Sequence, residues 1–161
     1  MEAQKRKCVF AGTFDPPTLG HKHVIESCLY VFDEVVVAIA VNPHKTPCFT
    51  VEQRKEMLAL TVKSDRVRVV EFTGTMAELL KRENTRIYVR GVRNASDFDY
   101  ENASLYATHK LDDTVTAFYL PCPQNLLHVR SSMVRSSLHF STPIDEYVTK
   151  EVQAYIQKIK H

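Results

Sequence analysis

The sequence predicts an α/β fold, in which a doubly wound, five-stranded parallel sheet is followed by C-terminal helices. Short runs rich in valine and isoleucine alternate with stretches of helical spacing along most of the 161 residues. These runs are apolar throughout, as expected of parallel strands that helices cover on both faces. Such alternation implies right-handed crossovers, which place helices on both sides of one sheet.

The predicted strands are short, and a helical stretch separates each of the first four from the next. The strands span residues 8–11, 34–41, 67–72, 87–90 and 115–120, and the helices lie near residues 20–31, 51–62, 76–83 and 97–110. Two helix starts carry a capping box, in which a threonine and the residue three positions later exchange hydrogen bonds. These pairs are Thr50 with Gln53 and Thr75 with Glu78.

Two further helices are predicted near the C-terminus. One follows Ser131 and Ser132, and the other begins at Thr142, with Pro143 in the first helical position. We expect the apolar face of the last helix to pack against the core or against another subunit. That face comprises Ile144, Tyr147, Val148, Val152, Tyr155, Ile156 and Ile159. At this length, residues 1–161 are expected to form a single domain.

Composition argues against several classes of function. The formal net charge is +2 and no long basic run occurs, which disfavours nucleic acid and membrane surfaces as partners. The longest apolar run, residues 35–41, is too short to cross a bilayer, and the polar N-terminus lacks a signal-peptide pattern. The four cysteines lie far apart without a C-x-x-C pair. We therefore expect reduced thiols in a cytoplasmic protein and no structural zinc site.

The most informative segment joins the first predicted strand to the first helix. It reads G-T-F-D-P-P-T-L-G-H and runs from Gly12 to His21. A glycine-containing turn in this place directs backbone N–H groups and the His21 imidazole toward one point, which suits a phosphate. The phosphate loops G-x-G-x-x-G and G-x-x-x-x-G-K-[ST] do not occur. The alternative is that His21 merely caps the start of the helix.

Other segments should meet this loop at the carboxyl edge of the sheet, where open α/β sheets bind their ligands. All four glycines of the chain fall at this edge. Lys45 lies in the loop after the second strand, and Arg90 and Arg93 lie at the end of the fourth strand and just beyond it. Arginine suits bidentate recognition of phosphate, whereas an exposed loop lysine can equally be a plain surface residue.

A last polar segment lies at the start of the helix that follows the fifth strand. Ser131 and Ser132 place hydroxyls at that helix N-terminus, and Arg135 follows one turn later. The arrangement again suits an anion, and the alternative is a simple serine N-cap. The acidic residues Asp97, Asp99 and Glu101, at another helix start, can likewise serve only to stabilise that helix.

Four motifs together resemble the phosphopantetheine adenylyltransferase family of nucleotidyltransferases. They are G-T-F-D-P-x-T-x-G-H at 12–21, N-P-x-K-x-P-x-F at 42–49, R-G-x-R-x-x-x-D-F-x-Y-E at 90–101 and S-S-x-V-R at 131–135. They occur in the family's order and spacing, and the resemblance covers essentially the whole chain. It implies a Rossmann-like nucleotidyltransferase fold. It also implies adenylyl transfer from ATP to 4′-phosphopantetheine, which gives dephospho-coenzyme A and pyrophosphate.

The resemblance further implies roles for individual residues. The catalytic positions are His21, Lys45 and Arg90. The acceptor-binding positions are Thr13, Lys45, Met76 and Arg90. The ATP-binding positions are Thr13, Phe14, His21, Gly91, Arg93, Glu101, Leu126, Leu127, His128, Val129, Arg130, Ser131 and Ser132. No residue is expected to hold a metal, since Mg²⁺ would be carried mainly by the ATP phosphates. The family also implies a homohexamer.

The chain departs from the family pattern at three positions. Ala11 stands where proline is usual, and Leu19 replaces the asparagine of T-N-G-H. Arg130 stands where the family pattern has the first of three consecutive hydroxyl residues. Its guanidinium either contacts an ATP phosphate or points into solvent.

Three other functions fit part of the pattern. A nucleotidyltransferase with another acceptor is disfavoured by the segment 90–101. A non-catalytic nucleotide-binding module need not keep His21, Lys45 and Arg90, which are all present. A metal-dependent phosphodiesterase built on His21 and His23 is disfavoured because histidines two positions apart do not share a helix face and carboxylate partners are lacking.

Overall fold

The computed structural model describes residues 3–160. Within that range a five-stranded sheet forms the centre of the molecule. Its strands are β1 (Lys7–Gly12), β2 (Glu34–Ala40), β3 (Val67–Phe72), β4 (Ile87–Val92) and β5 (Thr116–Pro121). The order across the sheet is β3-β2-β1-β4-β5, and every neighbouring pair is parallel. The strand order reverses between β1 and β4, so the sheet is doubly wound as predicted.

The helices fall where the sequence pattern indicates, except that the last one begins later than predicted. They are α1 (Leu19–Leu29), α2 (Val51–Thr61), α3 (Met76–Arg82), α4 (Ala95–His109), α5 (Ser131–His139) and α6 (Lys150–Ile159). A short 3₁₀ turn, Gln124–Leu126, was not predicted. Both predicted capping boxes are present, at Thr50 with Gln53 and at Thr75 with Glu78. The predicted α/β fold class is confirmed.

The two faces of the sheet carry separate hydrophobic clusters because successive strand residues point to opposite sides. Cys8 and Phe10 of β1 pack with α1 and α2, whereas Val9 and Ala11 pack with α3. The cysteines predicted in the core, Cys8 and Cys28, are buried. Burying both faces explains why the strands of the sequence are continuously apolar.

A third cluster joins the C-terminal helices to α2. Buried Phe49 and Met57 pack there against residues of α5, of α6 and of the segment between those helices. The apolar face predicted for the end of the chain contributes Ile144, Val148, Val152 and Ile156 as buried members and Tyr147, Tyr155 and Ile159 as partly buried ones. That face therefore packs against the core of the same chain.

The predicted start of the last helix at Thr142 and Pro143 is wrong. Helix α6 begins at Lys150, and Thr149 is its N-cap, with a hydroxyl that accepts from the Val152 N–H at 3.3 Å. Tertiary contacts hold the intervening segment out of a helix. The carbonyl of Tyr147 accepts from the Leu19 N–H at 2.9 Å, at the start of α1. The hydroxyl of Thr142 instead donates to the Ser137 carbonyl of the preceding helix, at 3.3 Å.

No helix in the described part of the chain is both long enough and apolar enough to span a bilayer.

Candidate active site

A cleft of about 490 Å³ opens at the carboxyl edge of the sheet, beside the reversal of strand order between β1 and β4. The loop after β1, the start of α1, the end of β4 and the start of α5 form its walls. The predicted site residues in its lining are Thr13, Phe14, His21, Arg90, Gly91, Arg93, Glu101, Val129, Arg130, Ser131 and Ser132. Residues more than a hundred positions apart therefore meet in one cleft, as the parallel topology requires.

Two of the glycines at this edge permit close packing. A Cβ atom on Gly91 would lie 3.0 Å from the Val24 Cγ2 atom of α1. One on Gly12 would lie 3.2 Å from the Phe14 ring. A larger residue at either position would force the contacting side chain to shift, so glycine lets α1 and the Phe14 ring lie close against the strand ends. This packing brings the first turn of α1 into the cleft wall.

His21 lies in that first turn and forms a capping box with the N-cap Thr18. The Thr18 hydroxyl accepts from the His21 N–H at 3.5 Å, and the Thr18 N–H donates to His21 Nδ1 at 2.9 Å. Because Nδ1 accepts a hydrogen bond, a neutral imidazole carries its proton on Nε2. The cap therefore leaves the Nε2–H as the donor that the ring can offer to a ligand. Helix capping and phosphate binding are compatible roles for this side chain.

The surroundings of His21 keep its ring neutral. Burial lowers the pKa of His21 to about 4, and the charge of the nearby Arg93 guanidinium contributes to the shift. The Phe14 ring packs edge-on against the imidazole, with ring centroids 4.8 Å apart. At neutral pH the site therefore presents an uncharged N–H donor that is already oriented by its cap.

Three side chains hold the backbone of the loop after β1. Nearly fully buried Arg54 donates from Nη1 to the Thr13 carbonyl at 2.9 Å. Arg135 donates from Nη1 to the Asp15 carbonyl at 2.8 Å, and the Ser131 hydroxyl donates to the Pro16 carbonyl at 2.7 Å. Because these contacts occupy the carbonyls, the loop is fixed before any ligand arrives. The Ser131 hydroxyl thus has a structural contact, in addition to its place in the cleft lining.

The carboxylate of Asp15 ties this loop to the loop after β2. It accepts from the Cys48 N–H at 2.8 Å and from the Phe49 N–H at 2.9 Å. Asp15 is buried, so each of these contacts replaces water that the carboxylate would otherwise bind. Lys45 lies in the same loop but is exposed and outside the cleft lining. The structure thus places Lys45 at the correct edge of the sheet without bringing it to His21.

Two arginines at the end of β4 are paired with carboxylates of α4. Arg90 Nε lies 3.2 Å from Glu101 Oε2, and Arg90 Nη1 donates to the Ala11 carbonyl at 2.8 Å. Arg93 Nε donates to Asp97 Oδ2 at 3.0 Å. Although burial opposes it, the hydrogen bonds from Arg93 hold the pKa of Asp97 below its usual value. Both guanidinium groups are therefore oriented at the cleft floor.

The start of α5 adds positive potential to another part of the cleft wall. Arg130 is the N-cap residue, is exposed, and makes no side-chain cap hydrogen bond. Ser131 and Ser132 follow in the first turn, where backbone N–H groups lack partners within the helix and the helix dipole favours anions. The cleft lining contains four arginines, Arg90, Arg93, Arg130 and Arg135, against the carboxylates of Asp15 and Glu101. This excess of positive charge suits a polyphosphate.

Several predicted site residues lie outside the cleft lining. Met76 is the first residue of α3 and packs partly buried against the cluster under that helix. Leu126 ends the 3₁₀ turn, Leu127 follows it, and His128 packs edge-on against Tyr147. All four lie at the carboxyl edge, beyond the walls of the cleft itself.

Sequence reasoning assigned no role to several residues that shape the site. Asp15 was part of the quoted motif, but nothing in its neighbourhood in sequence signals the contact to Cys48 and Phe49. Arg54 sits inside a helix that reads as ordinary core packing. His23 and Cys122 line the cleft and were not predicted there.

The described part of the chain contains no group of three or more His, Cys, Asp or Glu side chains arranged to hold a metal ion. Among the cleft carboxylates, Asp15 is engaged by two backbone N–H groups and Glu101 is paired with Arg90.

Comparison with known proteins agrees with this geometry. Residues 9–137 match the family model described as cytidylyltransferase-like. A phosphopantetheine adenylyltransferase of Campylobacter jejuni is 36% identical over 151 residues, which cover 93% of this chain and 96% of the relative. A phosphopantetheine adenylyltransferase of Thermotoga neapolitana is 35% identical over 154 residues, which cover 94% of this chain and 96% of the relative.

Solved structures share the fold. The nicotinic acid mononucleotide adenylyltransferase of Plasmodium falciparum, complexed with APC, matches with a TM-score of 0.72 at 16% identity, over 98% of this chain and 96% of that one. A second structure of that protein, complexed with NaAD, matches with a TM-score of 0.71 at 17% identity, over 98% and 97%.

The family match, the reversal of strand order and the cationic cleft define the class of the molecule, which is a nucleotidyltransferase of the cytidylyltransferase-like family. Within that class, the chain belongs to the phosphopantetheine adenylyltransferase family, because relatives of that name match it over nearly its whole length. The resemblance seen in the four motifs is thereby confirmed. The roles of individual residues stay predictions.

Proposed function

We propose that this enzyme transfers the adenylyl group of ATP to 4′-phosphopantetheine, giving dephospho-coenzyme A and pyrophosphate. An oxygen of the acceptor phosphate attacks the α-phosphorus of ATP, and the bond from that phosphorus to the oxygen bridging to the β-phosphate breaks. The observation that carries the proposal is the meeting of a neutral, oriented His21 with several arginines and two helix N-termini in one cleft. Membership of the family supplies the choice of acceptor.

This chemistry needs no covalent intermediate on the protein. Catalysis of phosphoryl and nucleotidyl transfer rests on alignment of the two substrates and on stabilisation of charge that develops on phosphate oxygens. The His21 Nε2–H is suited to donate to such an oxygen in the transition state. A single donor of this kind typically contributes ~3 kcal/mol, or roughly a hundredfold in rate.

The predicted binding positions divide between the two substrates. The acceptor would contact Thr13, Lys45, Met76 and Arg90, and ATP would contact Thr13, Phe14, His21, Gly91, Arg93, Glu101 and residues 126–132. The cleft is lined by both Arg90, at the end of β4, and Arg130, at the start of α5, which provides cationic groups for both substrates. Lys45 would have to reach the acceptor phosphate from the loop that Asp15 binds through the Cys48 and Phe49 N–H groups.

Mg²⁺ would accompany ATP and be held mainly by its phosphates. The cleft carboxylates support this arrangement, because hydrogen bonds or an ion pair already engage both of them. A metal that keeps several waters and binds substrate phosphates needs few protein ligands. The metal would offset charge on the phosphates and help pyrophosphate to leave.

We further propose that the chain associates with copies of itself, as a hexamer by family resemblance, and acts in the cytoplasm, where ATP is abundant. The α4 helix supports self-association, because none of its 15 residues is buried. Tyr100 and Tyr106 on this helix are 70% and 68% exposed. Exposed aromatic residues of this kind are typical of interfaces.

The deciding experiment is detection of pyrophosphate from ATP with a panel of acceptors. We expect release with 4′-phosphopantetheine, and none with dephosphorylated pantetheine or with nicotinic acid mononucleotide. Release with nicotinic acid mononucleotide alone would instead support the second candidate, a related nucleotidyltransferase with another acceptor. Nucleotide binding without release for any acceptor would indicate a non-catalytic binding module.

A further inference from the structure

Three buried side-chain atoms in residues 3–160 lack a hydrogen-bond partner, and they belong to neighbouring residues. These atoms are Arg90 Nε, Glu101 Oε2 and the hydroxyl oxygen of Tyr119. Arg90 and Tyr119 are paired in the register of β4 and β5, so their side chains leave the sheet side by side on the same face. Arg90 Nε and Glu101 Oε2 contact each other as an ion pair at 3.2 Å, so the Tyr119 hydroxyl is the one of the three that has neither a hydrogen bond nor an ion-pair contact. Buried polar atoms are almost always satisfied in folded proteins, so this hydroxyl needs an explanation.

Tyr119 is held against α4, the helix that carries Glu101. Its ring packs edge-on against Phe98, with centroids 5.3 Å apart, and Phe98 lies one turn before Glu101 on the same helix. Burial raises the pKa of the Tyr119 phenol, and the negative charge of Glu101 contributes to the rise. The hydroxyl therefore keeps its proton at neutral pH and remains a donor near the Glu101 carboxylate, which is paired with Arg90 in the ligand-free protein.

The unsatisfied hydroxyl costs stability in the ligand-free protein, since phenylalanine would make the same ring contact without a buried polar atom. Tyr119 is absent from the cleft lining, whereas Arg90 and Glu101 are both part of it. We therefore expect the hydroxyl to influence a ligand through those two residues.

We propose that Tyr119 is a positioning residue that exchanges with Arg90 as the partner of Glu101 when a phosphate occupies the cleft. This inference rests on the proposed function, which makes Arg90 a ligand of the acceptor phosphate. The phosphate draws the Arg90 guanidinium away from Glu101, and the Tyr119 hydroxyl then donates to the carboxylate that Arg90 has left. Without this donor, Glu101 would remain buried and unpaired, which would oppose the movement of Arg90.

The variant Tyr119→Phe tests the exchange because it removes only the hydroxyl. We expect the dissociation constant for 4′-phosphopantetheine, measured by calorimetry, to rise about tenfold, as for a lost hydrogen bond to a charged group. The melting temperature of the ligand-free variant should stay the same or rise. Tyr30→Phe, at a position 91% exposed on the far end of α1, is the matched control and should change neither value. Unchanged affinity in Tyr119→Phe, or a lowered melting temperature without ligand, would overturn the proposal.

Action through Glu101 has its own test. In the background of Glu101→Gln, the further change Tyr119→Phe should weaken binding of 4′-phosphopantetheine much less than it does alone, because the charged acceptor is gone. Fully additive losses would overturn the exchange. Tyrosine labelled at the ring carbon that bears the hydroxyl gives a direct signal by NMR. The resonance that disappears in Tyr119→Phe should shift when 4′-phosphopantetheine is added to the wild-type chain, and an unmoved resonance would contradict the exchange.

Titration with inorganic phosphate separates this inference from the proposed function. Wild-type protein that releases no pyrophosphate with any acceptor, but binds phosphate more tightly than Tyr119→Phe, would overturn the proposed function and support the exchange. Equal phosphate affinity in the two proteins, or no phosphate binding by either, would overturn the exchange whatever the turnover.

Discussion

At the amino edge of the sheet, Glu83 is nearly fully buried and lies between two arginines. Arg68 Nη2 contacts Glu83 Oε2 at 2.6 Å, and Arg82 Nε contacts Oε1 at 3.4 Å. The Arg68 guanidinium also reaches Glu34 at 3.1 Å, and Lys7 Nζ donates to the Glu83 carbonyl at 3.1 Å. Each of these groups makes a contact within the protein.

The carboxyl edge uses the same kinds of residue but leaves some of them incompletely paired. Arg90 and Glu101 lie in contact at 3.2 Å, yet each keeps a buried atom without a hydrogen bond. Arg130 stands exposed at the start of α5. The loop between β1 and α1 is held by its carbonyls and by the Thr18 N–H, which leaves the Nε2–H of the His21 ring for a ligand.

The difference between the edges separates stabilising charges from functional ones. Charges that are fully paired within the chain contribute to folding and have little left to offer a ligand. Charges that are oriented but incompletely paired lower stability and gain their partners only on binding. Variants at the carboxyl edge should therefore change activity more than stability, and variants at the amino edge should do the reverse.

The largest expected effect is on turnover in His21→Ala. We expect kcat to fall by roughly two orders of magnitude or more, with a smaller change in ATP affinity, because the Nε2–H donor acts mainly in the transition state. Steady-state pyrophosphate release gives both constants. The exposed His139→Ala serves as the control for loss of an imidazole. A near-normal kcat in His21→Ala would contradict the role of His21 and remove the main contrast between the edges.

The same residue should make stability depend on pH. The pKa of His21 is about 4 in the folded chain, against an ordinary value of 6.5. Below pH 6.5 the unfolded chain therefore binds a proton that the folded chain does not. The free energy of unfolding consequently decreases as the pH is lowered. We expect a loss of about 2 kcal/mol from this group between pH 7 and pH 5.

The variant His21→Gln isolates this effect, because glutamine at this helix position also completes a capping box. Urea denaturation at several pH values should show that the free energy of unfolding decreases less in His21→Gln than in wild type between pH 7 and pH 5. If the free energy of unfolding decreased equally in the two proteins as the pH is lowered, the imidazole would not be held neutral.

Lys45 and Arg90 test whether the carboxyl edge distinguishes its two substrates. Truncation of either side chain, by Lys45→Ala or Arg90→Ala, should weaken 4′-phosphopantetheine by about 1.5–3 kcal/mol and ATP much less. Calorimetry with each ligand gives the two values for each variant. Equal losses for both ligands would contradict the division of the site. A loss in Arg90→Ala alone would place the exposed Lys45 outside the binding site.

At the amino edge, Glu83→Gln should lower stability and leave turnover unchanged. The substitution keeps the shape of the side chain and removes the charge that faces Arg68 and Arg82. Because Arg68 is partly exposed, with 46% of its side chain accessible, we expect a moderate loss of about 1–2 kcal/mol. Urea denaturation measures it. A drop in kcat of the same size as that in His21→Ala would show that the two edges are not functionally separate.

Most of the fold follows from the sequence because its signals are local. Apolar runs that are buried on both faces, and capping boxes such as those at Thr50 and Thr75, need no knowledge of distant contacts. The start of the last helix could not be placed in this way, since Thr142 followed by Pro143 has the local signal of an N-cap, whereas the N-cap in the structure is Thr149. The choice depends on the contact between the Tyr147 carbonyl and Leu19.

The candidate site shows the same division. The residues proposed to recognise phosphate were predictable from motifs at the ends of strands. The residues that hold the loop were not, because Arg54 and Arg135 reach carbonyls that lie 41 and 120 positions away in sequence. Long side chains that bridge such separations leave no periodic pattern. The unsatisfied Tyr119 hydroxyl is likewise visible only after β4 and β5 are paired.

The smallest expected effect concerns Arg130, where the chain departs from the family pattern. Its guanidinium is exposed at the start of α5 and lines the cleft, so it can reach an ATP phosphate without breaking a cap or an ion pair. The flexible side chain must lose rotamer freedom to do so, which offsets much of the gain. We therefore expect Arg130→Ser to raise the KM for ATP by about threefold, or less than 1 kcal/mol. The kinetics of 4′-phosphopantetheine should be unchanged, as should the melting temperature, because serine is also a good N-cap. An unchanged KM for ATP would assign Arg130 to solvent. The anion site at this helix would then depend on the N–H groups of the first turn, since Arg135 already donates a hydrogen bond to the Asp15 carbonyl.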